Sequence, residues 1–216
     1  MLLTTAYCPP AAYFALLARD FSFRDGQVIP STVWLEACEN YQKQSYRNRC
    51  YIASASGVER LQVPVVHGPS AAIKDVRIDW STPWLVRTQR ALDAAYLTSA
   101  FYEYYRDELF AVMERRPSLL WDWNLALLRF CIDRTGIACT LRETADYTEA
   151  GILADDYREA IHPKRPNAIL QEMGLDVPYF QVFADRNGFR PGLSVLDLLF
   201  NEGPDALCYL KRVQNV

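Results

Sequence analysis

Short apolar runs with the character of β-strands crowd residues 1–80 and constrain the fold most. They occupy residues 2–7, 32–37, 47–52, 60–66 and 74–79, and a helical pattern at residues 11–20 separates the first two. Because four strands follow one another after a single helix, the sequence predicts a mixed or largely antiparallel sheet rather than strict alternation of strands and helices. Pro64 interrupts the fourth run and favours a sheet edge or a bulge there, since proline has no N–H to donate.

Helices dominate the middle of the chain, and short elements return in its last third. The predicted helices run from Thr82 to about Glu114, with a break near Ser99, and from a capping Ser118 to Gly136. Further elements are expected beyond them: a strand at 137–141, a polar loop at 143–166, a strand at 178–183, and a helix that Ser194 and Asp197 begin as a capping box. We therefore expect one mixed α/β domain over residues 1–216, its sheet flanked by helices.

The composition excludes several classes of function. A net charge of −3 argues against a general nucleic-acid-binding protein, and the apolar runs are too short for a membrane span. The six cysteines include no CxxC pair or zinc-site spacing, and the N-terminus resembles no signal peptide, so we expect a cytoplasmic protein with reduced thiols. Neither a phosphate-binding glycine loop nor an HExxH motif occurs. We expect no cofactor and no bound metal.

The segment "QKQSYRNRCYI", residues 42–52, has two arginines on either side of an asparagine. If this segment is a strand, Arg47 and Arg49 project from the same face and Asn48 from the other. Two such guanidinium groups can grip a phosphate or a carboxylate. The alternative is an exposed strand face on which the arginines pair with Glu36 or Glu39. In the first interpretation the chain binds a small anionic substrate.

Other polar residues are candidates for a site. His67 follows a strand directly, and its ordinary pKa makes it the natural general base at neutral pH, whereas His162 lies in a less constrained polar loop. Asp122 and Asn124 lie near the start of the third predicted helix, where an acidic residue also has a purely structural explanation. Cys8 and Cys50 lie near these polar residues in the sequence, but each is better explained as a buried, inert thiol than as a nucleophile.

Several stretches together resemble one protein family. They are "AYCPPAAYFALLA", "YQKQSYRNRCYI", "LQVPVV", "IKDVRID", "LDAAYLTSAFYEYY" and "LSVLDLLFNEGP". Their order is similar to that in the WbqC-like family, and the resemblance extends from residue 2 to about residue 205. It implies a part in bacterial surface polysaccharide (O-antigen) biosynthesis and the activity of a glycine transferase. Many members have a histidine where this chain has Tyr7, so Tyr7, or another group, would have to take over any role of that histidine.

The resemblance and the polar residues together predict acyl transfer to an amino sugar carried on a nucleotide. His67 would accept the proton of the attacking amine, and Arg47 and Arg49 would hold the diphosphate or stabilise the oxyanion. Asp122 would bind the ammonium of a glycyl donor, for which glycyl-tRNA or a glycyl thioester would each serve. Tyr7 is the remaining catalytic candidate.

The amides of Asn48 and Asn124 complete the predicted substrate-binding set. Two other functions remain open at this point. The first is a non-catalytic accessory or scaffold protein of a glycan-assembly complex, and the second is a metal-dependent hydrolase that uses His67 with Asp75 and Asp79. The oligomeric state is open as well.

Overall fold

The computed structural model describes residues 1–66, 71–149, 152–165 and 168–211. Nine strands are assigned in this part of the chain: Leu2–Thr4 (β1), Ser22–Arg24 (β2), Gln27–Ile29 (β3), Ser31–Glu36 (β4), Arg49–Ser54 (β5), Gly57–Gln62 (β6), Val65–Val66 (β7), Arg77–Ile78 (β8) and Cys139–Glu143 (β9). The helices are Ala11–Asp20 (α1), Trp84–Tyr96 (α2), Tyr102–Met113 (α3), Leu120–Thr135 (α4), Ile169–Glu172 (α5), Ala184–Asn187 (α6), Val195–Glu202 (α7) and Ala206–Leu210 (α8). The predicted mixed α/β class is confirmed.

The central sheet has three parallel strands, with β4 between β1 and β9. Leu35 lies opposite Leu3 of β1, and Val33 lies opposite Leu141 of β9. The loop 155–157 continues this sheet beyond β1, because the N–H of Leu2 donates to the carbonyl of Asp155 and Leu2 accepts from the N–H of Tyr157. The carboxyl ends of all three strands therefore lie at one edge of the sheet.

Three two-stranded sheets, β2–β3, β5–β6 and β7–β8, are antiparallel. The predicted strand at 60–66 divides at Pro64 into β6 and β7, and the carbonyl of Pro64 accepts a hydrogen bond from the N–H of Asp79. The predicted strand at 74–79 is a 3₁₀ turn, Ile73–Asp75, followed by β8. Proline lacks the N–H that a continuous strand would donate to its neighbour, which explains why the predicted strand at 60–66 divides at Pro64.

The helices surround a core to which α1, α4 and α7 contribute most of their residues. Helix α1 is buried from Ala11 to Ala18 and packs on β4, α7 and α8, whereas α4 packs on α3 and α7. Gly136 ends α4 with φ of +72°, as its position in the sequence predicts. The break between α2 and α3 also falls where it is predicted. Ser118 does not cap α4, because Leu119 precedes the helix and no side chain caps it.

The last third of the chain departs from the predictions at two places. Residues 178–183 form no strand, and the side chains of Tyr179 and Gln181 instead donate to Asp197 at 2.7 and 2.8 Å. Ser194 does cap α7, but Asp197 is fully buried and accepts a third hydrogen bond from the hydroxyl of Tyr96 rather than completing a capping box. Burial raises the pKa of this carboxyl group above its ordinary value. None of the helices described is long and apolar enough to cross a membrane.

Candidate functional site

A cavity of about 500 Å³ opens at the carboxyl edge of the parallel sheet. Ligands of open α/β sheets bind outside the carboxyl ends of the strands, so a ligand site is expected at this edge. We call it the edge cavity; the lining side chains that matter here are Glu39, Gln42, Tyr147, Asp156, Arg158 and Glu159. They come from the segment after β4 and from the polar loop that follows β9.

A buried carboxylate at the end of β4 anchors one wall of the edge cavity. Glu36 is fully buried, and its Oε1 accepts from the N–H of Cys38 at 3.0 Å and from the hydroxyl of Thr144 at 2.8 Å. Its Oε2 accepts from the N–H of Thr148 at 3.0 Å and from Nη1 of Arg158 at 3.2 Å. Four donors satisfy this carboxylate, and they fix the loop after β9 against the end of β4.

Arg158 links this buried carboxylate to a second one. Its Nε and Nη2 donate to Asp156 at distances from 2.6 to 3.2 Å, and Nη1 also donates to the carbonyl of Thr148 at 2.7 Å. The guanidinium lies over the ring of Tyr147, 5.6 Å from its centroid. Arg158 therefore orders two segments of the polar loop, and its single positive charge is paired with two carboxylates.

Arg47 lies in the turn before β5 and pairs with Glu39 on the other side of the edge cavity. Its Nε donates to Oε1 at 2.8 Å and its Nη2 donates to Oε2 at 2.5 Å, with only 3% and 7% of the two side chains exposed. The expectation that Arg47 and Arg49 project side by side from one strand is wrong, because β5 begins only at Arg49. The pairing with Glu39 that the alternative proposed is present, but it is buried rather than exposed.

The structure does not bring Arg49 into the edge cavity. Arg49 is half-buried on β5, where its Nε donates to the amide oxygen of Gln62 at 3.2 Å. Gln62 lies directly opposite on β6, so this contact is a cross-strand pair of the hairpin.

The two predicted asparagines support the turn that holds Arg47. Asn124 is fully buried on α4, and its Nδ2 donates to the carbonyl of Arg47 at 2.7 Å. Asn48 is also buried, and its Nδ2 donates to the carbonyl of Val63 at 2.9 Å. Both amides therefore act on the protein backbone, and neither lines the edge cavity.

The remaining predicted residues lie apart from the edge cavity or outside the described residues. Asp122 is exposed on α4. Tyr7 is fully buried, its ring centroid 6.1 Å from that of Trp123, and burial raises the pKa of its hydroxyl well above the ordinary value. His67 lies outside the described residues, so its predicted role as the general base stays a prediction.

Sequence reasoning did not single out the four lining residues named above that the loop after β9 contributes: Tyr147, Asp156, Arg158 and Glu159. The signal that pointed to them was the expectation of a long functional loop at 143–166. His162 belongs to the same loop and is half-buried, and its Nδ1 accepts from the N–H of Lys164 at 3.2 Å. Burial, assisted by nearby cations, lowers the pKa of His162 below 6.5, so the imidazole is neutral at pH 7.

The described residues include no group of three or more His, Cys, Asp or Glu side chains arranged to hold a metal ion. Asp75 and Asp79 of the metal-hydrolase alternative lie within this part of the chain, whereas His67 does not.

Comparison with known proteins decides the family. The sequence model of the WbqC-like protein family matches residues 5–161, which is more than half of the chain. The chain belongs to the WbqC-like protein family. The lining of the edge cavity in this WbqC-like chain lies entirely within the matched residues. A relative, Uncharacterized protein Rv1507c of Mycobacterium tuberculosis, is 29% identical over 232 aligned positions that cover 95% of this chain and 94% of the relative. No solved structure matches the chain at a significant level.

Proposed function

We propose that this WbqC-like chain transfers an aminoacyl group, glycyl by the family resemblance, to the amine of an amino sugar carried on a nucleotide. The reaction would serve bacterial surface polysaccharide biosynthesis. The edge cavity is the observation that carries the proposal. Its volume of about 500 Å³ suits a small molecule, and its carboxylates, guanidinium, amide and phenol both donate and accept hydrogen bonds. A sugar with several hydroxyls and one amine needs such a lining.

The charges around the edge cavity favour the amine of the substrate over a phosphate. Glu39 neutralises Arg47, and Asp156 and Glu36 together outweigh the single charge of Arg158. No guanidinium of these buried pairs is left for a phosphate, so we reassign Arg47 from gripping the diphosphate to orienting Glu39. A cationic ammonium group complements the surplus of carboxylates.

Glu159 is the carboxylate best able to bind that ammonium group. Its partner is Arg165 at 2.7 Å, and about half of each side chain is exposed (50% for Glu159 and 56% for Arg165). Exposed ion pairs contribute little, so a ligand ammonium can replace Arg165 at small cost. Burial acts to raise the pKa of Glu159, but hydrogen bonds from Gln42 and Arg165 outweigh it and lower the pKa below 4.5. Glu159 is therefore anionic at neutral pH.

The proposed chemical step needs few groups. The ammonium group bound at Glu159 first gives one proton to a base, and the resulting neutral amine attacks the acyl carbon of the donor. A C–N bond then forms, the bond to the donor's leaving group breaks, and the nitrogen gives its second proton to the leaving group. Our prediction for the proton acceptor remains His67. Asp122 and Tyr7 lie away from the edge cavity, and we assign them no part in this step.

The proposal is tested with purified protein, glycyl-tRNA or a glycyl thioester as donor, and a panel of UDP- and dTDP-linked amino sugars as acceptors. Mass spectrometry should detect a glycyl amide on one acceptor. Glu159→Gln should reduce the rate about tenfold or more, since it removes the charge that binds the ammonium. Glu103→Gln, at an exposed position of α3, is the matched control and should have no effect.

A second measurement separates an enzyme from an accessory protein. Nucleotide-sugar binding without transfer from either donor would support the accessory role that the sequence leaves open. A surface polysaccharide that keeps all its glycyl groups after deletion of the gene would contradict the proposed reaction in the cell.

A further inference from the structure

A second, smaller pocket lies between the β5–β6 hairpin and the segment that leads into α7. Its volume is about 230 Å³, and its lining includes Tyr46, Tyr51, Val58, Pro163, Arg190 and Leu193. We call it the aromatic pocket. Pro163 and Arg190 lie beyond residue 161, so this pocket extends past the part of the chain that the family match covers.

Two tyrosines make the aromatic wall. The ring centroids of Tyr46 and Tyr51 are 5.8 Å apart and the ring planes meet at 83°, so one ring supports the other edge to face. Backbone hydrogen bonds hold both residues: Tyr46 accepts from the N–H of Tyr7 and Tyr51 accepts from the N–H of Ser194, each at 2.8 Å. Burial raises the pKa of Tyr46 to about 12, so its hydroxyl keeps its proton. The wall is therefore fixed before any ligand arrives.

Arg190 is the charged residue of the lining, and its backbone is fixed while its guanidinium is free. Its N–H donates to the amide oxygen of Gln181 at 2.9 Å, and its carbonyl accepts from Nε2 of Gln181 at 3.0 Å. Within the described ranges, the guanidinium has no hydrogen bond or ion pair, in contrast to the paired Arg47 and Arg158 of the edge cavity. Gly192 leaves open space where a side chain would stand, so the backbone beside Arg190 is accessible.

We propose that the aromatic pocket binds the nucleoside phosphate part of the substrate. The apolar and aromatic walls suit the flat face of a base, and base stacking on an aromatic side chain tolerates any base. The unpaired guanidinium suits a phosphate. A phosphate alone would gain nothing from the tyrosines, and a neutral sugar would gain nothing from the charge of Arg190.

The two sites border the same loop. Glu159 lines the edge cavity and Pro163, four residues later, lines the aromatic pocket. Tyr46 of the aromatic pocket directly precedes Arg47, whose partner Glu39 lines the edge cavity. We place the nucleotide of the substrate in the aromatic pocket and its amino sugar near Glu159. This inference rests on the proposed function, which it deepens by assigning the carrier of the sugar to a pocket.

The test measures binding by itself, using calorimetry with the full chain. The probes are the diphosphates of uridine, thymidine, adenosine and guanosine, with the matching free nucleosides and inorganic pyrophosphate. We expect at least one nucleoside diphosphate to bind about tenfold or more tightly than its nucleoside, because only the diphosphate engages Arg190. Pyrophosphate alone should bind more weakly than the diphosphate that binds best.

Three variants assign the binding to this pocket. Arg190→Gln should weaken the nucleoside diphosphate about tenfold and leave the nucleoside unchanged, whereas Tyr51→Leu should weaken both. Arg186→Gln is the matched control, because Arg186 is exposed on α6 and does not line the pocket. The melting temperature of each variant shows whether it folds. If Tyr51→Leu does not fold, Arg190→Gln by itself still tests whether the nucleoside diphosphate binds in this pocket.

Two results would overturn the inference: no binding of any nucleoside diphosphate, or unchanged affinity in Arg190→Gln. Its failure and that of the proposed function are distinguishable. A nucleoside diphosphate that binds without any glycyl transfer contradicts only the transfer reaction. Transfer to a nucleotide-linked amino sugar that is unchanged in Arg190→Gln contradicts only the aromatic pocket.

Discussion

Replacement of the two arginines in the "RNR" segment should have very different effects on stability. In Arg47→Ala the carboxylate of Glu39, with 7% of its side chain exposed, loses a bidentate partner and stays buried with its charge uncompensated. Removal of one partner of a buried ion pair costs about 3–5 kcal/mol. For a chain of this size each kcal/mol lowers the melting temperature by roughly 2–4 °C. We therefore expect a decrease of roughly 6–20 °C.

Arg49→Ala is the matched comparison, because it removes a half-exposed guanidinium with one hydrogen bond to Gln62. A hydrogen bond of this kind contributes about 1 kcal/mol or less, which predicts a decrease of no more than roughly 4 °C. Differential scanning calorimetry at pH 7 measures both variants. Equal and small decreases would refute the buried pair.

A double variant separates charge from packing at the same position. Replacement of a buried ion pair by uncharged side chains of similar size is often neutral, so Glu39→Gln with Arg47→Met should recover most of the stability that Arg47→Ala loses. The two single variants, Glu39→Gln and Arg47→Met, complete a thermodynamic cycle. Coupling close to zero would mean that Arg47 stabilises the fold by packing, and the reasoning from charge would then be wrong.

Three further predictions concern the fold. Because burial raises the pKa of Asp197 above 3.8, the stability that its protonated carboxyl group contributes is present below that pH and is lost as the pH rises through the raised pKa. Asp197→Asn should lack this loss when urea unfolding is measured at increasing pH above 3.8, and an equal pH dependence in the two proteins would contradict the prediction. Gly203→Ala would put a methyl group 2.5 Å from the ring of Phe101 at φ of +55° and should cost about 2–4 kcal/mol in thermal unfolding. The control is Gly136→Ala, which should cost about 1 kcal/mol because its methyl group would lie 3.7 Å from Leu207, an ordinary contact distance, at a left-handed φ of +72°. Equal losses would mean that the ring of Phe101 moves aside. A thiol reagent should modify the exposed Cys208 in the native protein and reach the three buried thiols only on unfolding, so six thiols reacting at one rate would refute their burial.

Local signals in the sequence predict the elements that depend on neighbouring residues. Helix α1 lies at the predicted residues because its apolar spacing and helix-forming residues lie within one short segment. Gly136 ends α4 because a glycine can adopt the left-handed conformation that ends a helix. Ser194 caps α7 for an equally local reason. Each of these features is decided within about four residues of the position concerned.

The features that the sequence does not predict depend on partners far along the chain. Arg158 meets Glu36 across 122 positions, and Tyr96 meets Asp197 across 101. Asp197 has the spacing of a capping box, but its carboxylate accepts hydrogen bonds from the buried hydroxyl groups of Tyr96 and Tyr179 instead of bonding to the N-terminus of α7. The edge cavity likewise requires the parallel register of β4 with β9, which no local pattern encodes.

The distribution of paired and unpaired charges determines how a substrate would lie across the two proposed sites. The buried guanidinium groups of the edge cavity are neutralised and its carboxylates are in excess, whereas Arg190 gives the aromatic pocket an unpaired positive charge. A molecule with an amine at one end and a phosphate at the other is then favoured in one orientation, since the reverse would put phosphate beside Glu159 and the amine beside Arg190. Because Arg190 is exposed, added salt should weaken the contact with the phosphate far more than it affects the buried pairs around Glu36 and Glu39. Affinity for a nucleotide should consequently fall with ionic strength while the melting temperature of the free protein changes little.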